Sequence, residues 1–165
     1  MSQGIQVRRA QRGDLATLAD LVCDASGSRA RVDEAGVMEW LFGKGLMVAV
    51  QGESLVGVAA WQTENLVSVT DEVFVFPPSL FGEAGGALLA SIESEAHRLM
   101  CEVNVLVLPA WTMDGTRASL QALGYEEQTY QDLHRIWREV LDDFMSEGAI
   151  LMVKRLRDRM VMAPL

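Results

Sequence analysis

Val73-Phe74-Val75-Phe76-Pro77-Pro78-Ser79-Leu80-Phe81-Gly82-Glu83-Ala84-Gly85-Gly86-Ala87-Leu88-Leu89 reads, in order, as a buried strand, a proline stop, a glycine-rich turn and the start of a helix. Val and Phe suit a packed, pleated surface, and two prolines without backbone N–H groups cannot continue a central ladder, so the strand ends near Phe76. Gly82, Gly85 and Gly86 permit tight backbone angles and close approach of a ligand. Leu88, Leu89, Ile92, Ala96 and Leu99 then recur at helical spacing. The first N–H groups of a helix have no intrahelical partners and the helix dipole adds partial positive charge, so such a mouth suits a phosphate or pyrophosphate without a lysine.

No Gly-Lys-Ser/Thr follows, which excludes a P-loop, and the glycine spacing is not that of Gly-x-Gly-x-x-Gly. The segment resembles the pyrophosphate loop of the GNAT family of acyl-CoA-dependent N-acyltransferases, Val-x-Pro-x-x-Arg/Gln-Gly-x-Gly-x-Gly/Ala followed by Leu-Leu. Pro78, Gly82 and Gly86 fall in register; Phe81 stands at the Arg/Gln position and Ala84 at the middle Gly. The resemblance implies acetyl-CoA as cosubstrate, bound along Phe74, Val75 and Phe76 and by the loop residues Phe81, Gly82, Glu83, Ala84, Gly85, Gly86 and Ala87. It also implies a pantetheine arm between two splayed strands, and oxyanion help from the Phe74–Phe76 amides.

The chain has 165 residues, half of them apolar, which is enough for one domain over 1–165 with a core needing no staples. The 14 basic against 23 acidic residues give a formal charge of −9. That balance argues against a nucleic-acid surface, which needs clustered Lys and Arg, and mildly favours a cationic substrate. Cys23 and Cys101 lie far apart and outside any metal spacing, so buried free thiols, no metal and a reducing compartment are expected. No apolar run reaches spanning length, and the start Met1-Ser2-Gln3-Gly4 is no signal peptide. A cytoplasmic protein with no membrane partner is expected.

In chain order, Ile5–Ala10 alternates as a first strand, and Asp14 is placed to cap a helix carrying Leu15, Leu18, Leu21 and Val22 inward. Asp33 is placed to cap a second helix with Val37, Met38, Trp40 and Leu41, ended by Gly43. Leu46–Val50 and Leu55–Trp61, joined at Gly52-Glu53, form a hairpin. A third run, 66–76, alternates Val67, Val69, Val73 and Val75 with polar or aromatic residues and leads into the glycine loop. Val103–Leu108, stopped by Pro109, suits a strand buried on both faces and parallel to the third run. Asp114 is placed to cap a helix over 115–123 that closes at Gly124.

Ala118-Ser119-Leu120-Gln121-Ala122-Leu123-Gly124-Tyr125 is similar to the second signature of the same family. Leu120 occupies the place of the tyrosine that often protonates the departing thiolate, and Met113 that of the helix-starting Asn, so a phenolic acid at this position is excluded. Tyr125 matches a packing aromatic, and Tyr130 lies beyond the motif. Leu133, Ile136, Trp137, Val140, Leu141 and Phe144 recur as an amphipathic helix near 132–146, with Gly148 as its stop, before a last strand over 149–156. Three uses fit that extra helix: packing on the sheet, covering the acceptor site, or a homodimer contact. The tail cations Lys154, Arg155, Arg157 and Arg159 suit a solvated edge.

An amine must lose its proton before attacking a thioester, and a carboxylate can take it. Glu72 is the first candidate, since some members of the family use a Glu at about this place, and Asp71 the second. His97 and His134 have no partner at a telling spacing and are expected at the surface. The reading is an α/β, GNAT-like mixed sheet of about six to seven strands flanked by helices, with an extra helix near 132–146. It transfers acetyl from acetyl-CoA to a primary amine of a small molecule or peptide by direct attack. The alternative is a non-catalytic acyl-CoA-binding or protein-interaction module retaining that fold; a flavodoxin-like nucleotide binder is weakened by the early antiparallel hairpin.

Overall fold

The structure, a computed structural model, describes residues 3–158. Seven strands form one mixed sheet in the order β1-β2-β3-β4-β5-β7-β6. They are β1 (Ile5–Arg9), β2 (Gly45–Gln51), β3 (Ser54–Glu64), β4 (Val67–Val75), β5 (Val103–Leu108), β6 (Glu126–Gln128) and β7 (Ile150–Arg155), accompanied by α1 (Leu15–Ala25), α2 (Glu34–Gly43), α3 (Gly86–Arg98), α4 (Asp114–Ala122) and α5 (Arg135–Leu141). Contacts gather the described residues into two compact units, 3–61 with 72–92, and 62–71 with 93–158.

The first unit holds the expected hairpin. β2 and β3 pair antiparallel from Gly45↔Trp61 to Gln51↔Ser54, with a register shift at Ala49/Val50, and Gly52 takes the left-handed conformation (φ 63°) that their turn requires. β1 pairs antiparallel with β2. α1 buries Leu15, Leu18, Leu21 and Val22 as its spacing predicts. Asp33 caps α2 by accepting from the Gly36 amide at 2.8 Å, but of the four apolar residues expected inward only Val37 is fully buried. Met38, Trp40 and Leu41 are half-buried, and Phe42 is exposed.

Asp14 stands at the N-cap of α1, but its side chain makes no capping bond there. Its carboxylate accepts from the Gln11 amide at 2.7 Å, in the single 3-10 turn before the helix, and takes a bidentate pair of bonds from Arg8 at 2.8 and 2.9 Å. The Arg8 guanidinium holds this carboxyl below its usual range. A carboxylate whose folded pKa is lowered contributes stability above its unfolded value and loses it as pH falls through the folded one. Arg8→Met is therefore expected to cost only about 0.5–1 kcal/mol at neutral pH, because Arg8 is substantially exposed. In urea unfolding followed against pH, the gap between variant and wild type should close below pH ~4; a gap that persists at low pH would show that the arginine acts through packing.

In the second unit β5 is buried along its whole length. It pairs in parallel with β4 from Val67↔Val103 to Thr70↔Leu106, and antiparallel with β7 from Val103↔Arg155 to Leu108↔Ile150. Ser68 and Thr70 are as buried as Val67 and Val69, so the alternation in this run does not separate a wet face from a dry one. Leu99, which shares the helical spacing of Ile92 and Ala96, lies just past α3 and is exposed, whereas those two are buried. Met113, not Asp114, is the N-cap of α4; Asp114 lies in the first turn and pairs with Arg117 at 3.7 Å.

The extra helix is shorter than its pattern. α5 covers Arg135–Leu141, because Leu133 is extended and buried, and the His134 ring turns in to accept from the Ile136 amide at 3.3 Å. At its other end the Phe144 amide closes a turn on the Leu141 carbonyl, and Asp142 accepts from the Tyr130 hydroxyl. Gly148 (φ 74°) serves the entry to β7 instead of stopping the helix. Cys101 is buried, and burial pushes its thiol up; Cys23, expected buried, is half-exposed with Sγ 3.5 Å from Ser28 Oγ. Of the tail cations, Arg159 lies outside the described residues.

Candidate functional site

All the residues singled out for donor binding, with Glu72, fall in the continuous segment 72–92 of the first unit. Phe74 and Val75 are buried at the end of β4. Phe76, directly after it, is 41% exposed and joined to Pro77 by a cis peptide bond. Its amide donates to the Val56 carbonyl at 2.9 Å, so this amide is committed to the sheet and does not belong to the expected oxyanion set.

After Pro77 the chain makes a 3-10 turn (Pro78–Leu80) and a π turn (Phe81–Gly85) that runs without a break into α3. None of Gly82, Gly85 and Gly86 adopts positive φ, so tight backbone angles are not why they are here. Gly85 makes room: a Cβ there would stand 3.2–3.4 Å from the Phe81 ring. Phe81 is buried, so the residue at the family's Arg/Gln position supports the loop from within and offers no side chain to a ligand. Gly82 and Glu83 are exposed, and a Cβ on Gly82 would have no neighbour within 4 Å, which leaves the backbone open in front of the turn. Ala84 is buried, and Gly86 and Ala87 are half-buried. The Gly86 amide bonds back to the Glu83 and Gly82 carbonyls, which confines the candidate anion donors to the amides that precede it.

A glycine outside the expected set fixes the height of this mouth. A Cβ on Gly57 of β3 would meet Leu88 Cδ1 at 3.0 Å and Val75 Cγ2 and Ala49 Cβ at 3.3 Å. The first turn of α3 thus seats on the sheet beside the last residue of β4 only because residue 57 has no side chain. The glycine was visible in the sequence, but its partner across the fold was not.

Glu72 is half-buried on β4, two residues before the buried Phe74, and Asp71 precedes it, also half-buried. Leu120 lies fully in the core. His97 is exposed, as expected; His134 is half-buried, caps α5 and stands edge-on to Trp137 with ring centroids 6.5 Å apart. Tyr125 is buried and bonded, and burial first, then the Glu93 charge, pushes its hydroxyl well above the usual phenol range. Tyr130 is raised chiefly by its bond to Asp142.

No protein-family model matches the chain, and no curated protein matches it in sequence. Solved structures do. An acetyltransferase of the GNAT family from Staphylococcus aureus superposes with a TM-score of 0.68 at 14% identity, covering 93% of this chain and 100% of that one. The fold is that of the GNAT acetyltransferases. A putative acetyltransferase of Salmonella typhimurium, solved with its cofactor acetyl-CoA, shares this GNAT fold with a TM-score of 0.69 at 16% identity over 98% of both chains. N-acetylglutamate synthase of Neisseria gonorrhoeae, complexed with coenzyme A and N-acetyl-glutamate, matches 93% of this chain with a TM-score of 0.70 at 18% identity. The chain spans 35% of that enzyme's length. Among the described residues no helix is long and apolar enough to cross a membrane, and no group of three or more His, Cys, Asp or Glu is placed to hold a metal.

Proposed function

We propose that this chain is an acetyl-CoA-dependent N-acetyltransferase acting on a primary amine. The observation that carries the reading is the side-chain-free mouth at Gly82, propped by Phe81 beneath Gly85 and seated on Gly57, in a GNAT fold. It is supported by the Salmonella and Neisseria structures that bind acetyl-CoA or coenzyme A. The amides of Gly82–Gly85 are the groups that would hold the donor's pyrophosphate, and the end of β4 at Phe74 and Val75 would lie along its arm. The donor supplies a thioester-activated acetyl group. Glu72 takes the proton from the acceptor ammonium, so that the free amine attacks directly. As the C–N bond forms and the thioester C–S bond breaks, the leaving thiolate takes its proton from the attacking nitrogen or from water, since Leu120 has none to give.

Acceptors in the neighbours range from an amino acid, in the Neisseria synthase, to an alanine of a ribosomal protein, in the ribosomal-protein-alanine N-acetyltransferase of Brucella melitensis, so a small molecule or a peptide both fit. A cytoplasmic location and a single domain belong to this same reading.

Gly82→Glu is the test. A side chain there meets no protein atom, so the variant should fold with a thermal midpoint close to wild type, while its carboxylate fills the mouth. Calorimetric titration with acetyl-CoA should show affinity reduced by about 100-fold, the scale of replacing an anion-stabilising turn by a like charge. Thiol release in an amine panel should fall with it, and Glu72→Gln should lower turnover by about 10²-fold or more with acetyl-CoA affinity unchanged. Wild-type protein that binds no acetyl-CoA would sink the reading.

A further inference from the structure

Between Lys44 and His97 the chain carries no lysine, arginine or histidine; its charged residues there are carboxylates. That stretch supplies β2, β3, β4, the glycine loop and nearly all of α3. Glu83 stands exposed in the first turn of the loop. A helix mouth offers an anion roughly half an elementary positive charge. One full carboxylate in the same turn opposes that partial charge and weakens the attraction it offers an anion. Several cations elsewhere are paired with carboxylates: Arg8 with Asp14 at 2.8 Å, Arg98 with Glu95 at 3.1 Å, Lys154 with Glu93 at 2.6 Å, and Arg117 with Glu127.

We infer that Glu83 sets the charge tolerance of the donor site: the mouth holds a phosphate through amide hydrogen bonds against an opposing field, and favours pantetheine thioesters of low negative charge. This rests on the acetyl-CoA reading above and sharpens it. Acetyl-CoA carries a diphosphate and a 3′-phosphate, each repelled by Glu83, and mobile ions screen that repulsion. The salt dependence is therefore opposite in sign to that of a site built from Lys and Arg.

The experiment is calorimetric titration of acetyl-CoA and of uncharged acetyl-pantetheine, at about 20 and about 500 mM sodium chloride, where screening changes from weak to strong. The proteins are wild type, Glu83→Gln and, as a control removing the same charge from the exposed end of β3, Glu64→Gln. For wild type, acetyl-CoA affinity should rise about three- to tenfold with salt while acetyl-pantetheine stays constant; Glu83→Gln should bind acetyl-CoA about threefold more tightly at low salt and lose most of the salt dependence, and Glu64→Gln should behave as wild type. Acetyl-CoA affinity that falls with salt, or that is the same in Glu83→Gln and wild type, overturns this inference and leaves the acetyltransferase reading standing. Failure of both ligands to bind at either salt removes that reading, and the inference with it.

Discussion

Asn104→Ala is expected to lower the free energy of unfolding by about 3 kcal/mol, at the upper end of what a single polar substitution does. Asn104 is fully buried in β5. Its amide nitrogen donates to the Tyr125 hydroxyl at 2.9 Å, and its carbonyl oxygen accepts from the Thr70 hydroxyl at 3.1 Å. Tyr125 is in turn bonded to Glu93, which pairs with Lys154 at 2.6 Å; the Lys154 ammonium also donates to the Leu123 carbonyl at 3.0 Å and lies 5.6 Å from the centre of the Tyr125 ring. Truncation strands a buried threonine hydroxyl and weakens the hold on a buried tyrosine, and each stranded group costs about 1–3 kcal/mol.

The same network has an alkaline signature. Tyr125 is held protonated, so its contribution is complete below the ordinary phenol value of about 10 and is lost as pH rises through its elevated folded value. Wild-type protein should therefore lose stability steeply above pH ~10, with phenolate absorbance from one tyrosine appearing only with unfolding. Tyr125→Phe should be less stable at neutral pH and lack that steep phase. Urea unfolding by circular dichroism measures the first effect. A loss below about 1 kcal/mol for Asn104→Ala would mean that water replaces the amide, and that the network is not a structural unit.

None of this network was legible in the sequence. Thr70, Glu93, Asn104, Tyr125 and Lys154 come from separate elements and share no spacing, and Asn104 reads as an interruption in a valine-rich strand. What was legible was local. Gly52-Glu53 between two apolar runs gives the hairpin, Pro77-Pro78 ends β4, and Asp33 caps α2, because each depends only on neighbouring residues. β6 escaped notice because Glu126-Glu127-Gln128 is short and polar, as an edge strand that avoids further pairing should be. Asp14 has the residue type of a cap but was drawn away by Arg8, a partner on another element.

The site was legible in outline for the same reason and obscure in detail. The order strand, proline, glycines and apolar helix is the order of the elements found: the end of β4, two tight turns and the start of α3. The purpose of each glycine depended on what lies opposite it: the Phe81 ring for Gly85, nothing for Gly82, and α3 for Gly57. Phe81 looked like a missing polar contact and is a buried prop. A helix-mouth site can keep its shape while its side chains diverge, since the donors are backbone amides that any residue supplies.

Trp137→Ala is expected to cost about 3–5 kcal/mol, and it decides between the three uses that the pattern of α5 left open. In the second unit, Leu133, Trp137, Val140 and Leu141 form one buried cluster with Val67 and Val69 of β4, Val103, Val105 and Val107 of β5, and Leu151 and Val153 of β7. A helix of seven residues is too short to be stable without such packing. The chain spends its aromatic residue on the sheet, while the charged residues Arg135 and Glu139 face outward as an exposed pair at 4.0 Å. Core packing therefore predicts a large loss in urea unfolding, no change of mass in sedimentation equilibrium, and a Michaelis constant for the amine unchanged at temperatures where the variant remains folded. A lid would reverse the first and last of these, with little loss of stability and a weakened acceptor. A dimer contact would appear as dissociation of a wild-type dimer on substitution. The burial of Trp137 against three strands makes the first outcome the one the fold requires, since exposing or removing that ring opens a cavity that the β-branched side chains of β4 and β5 are too stiff to fill.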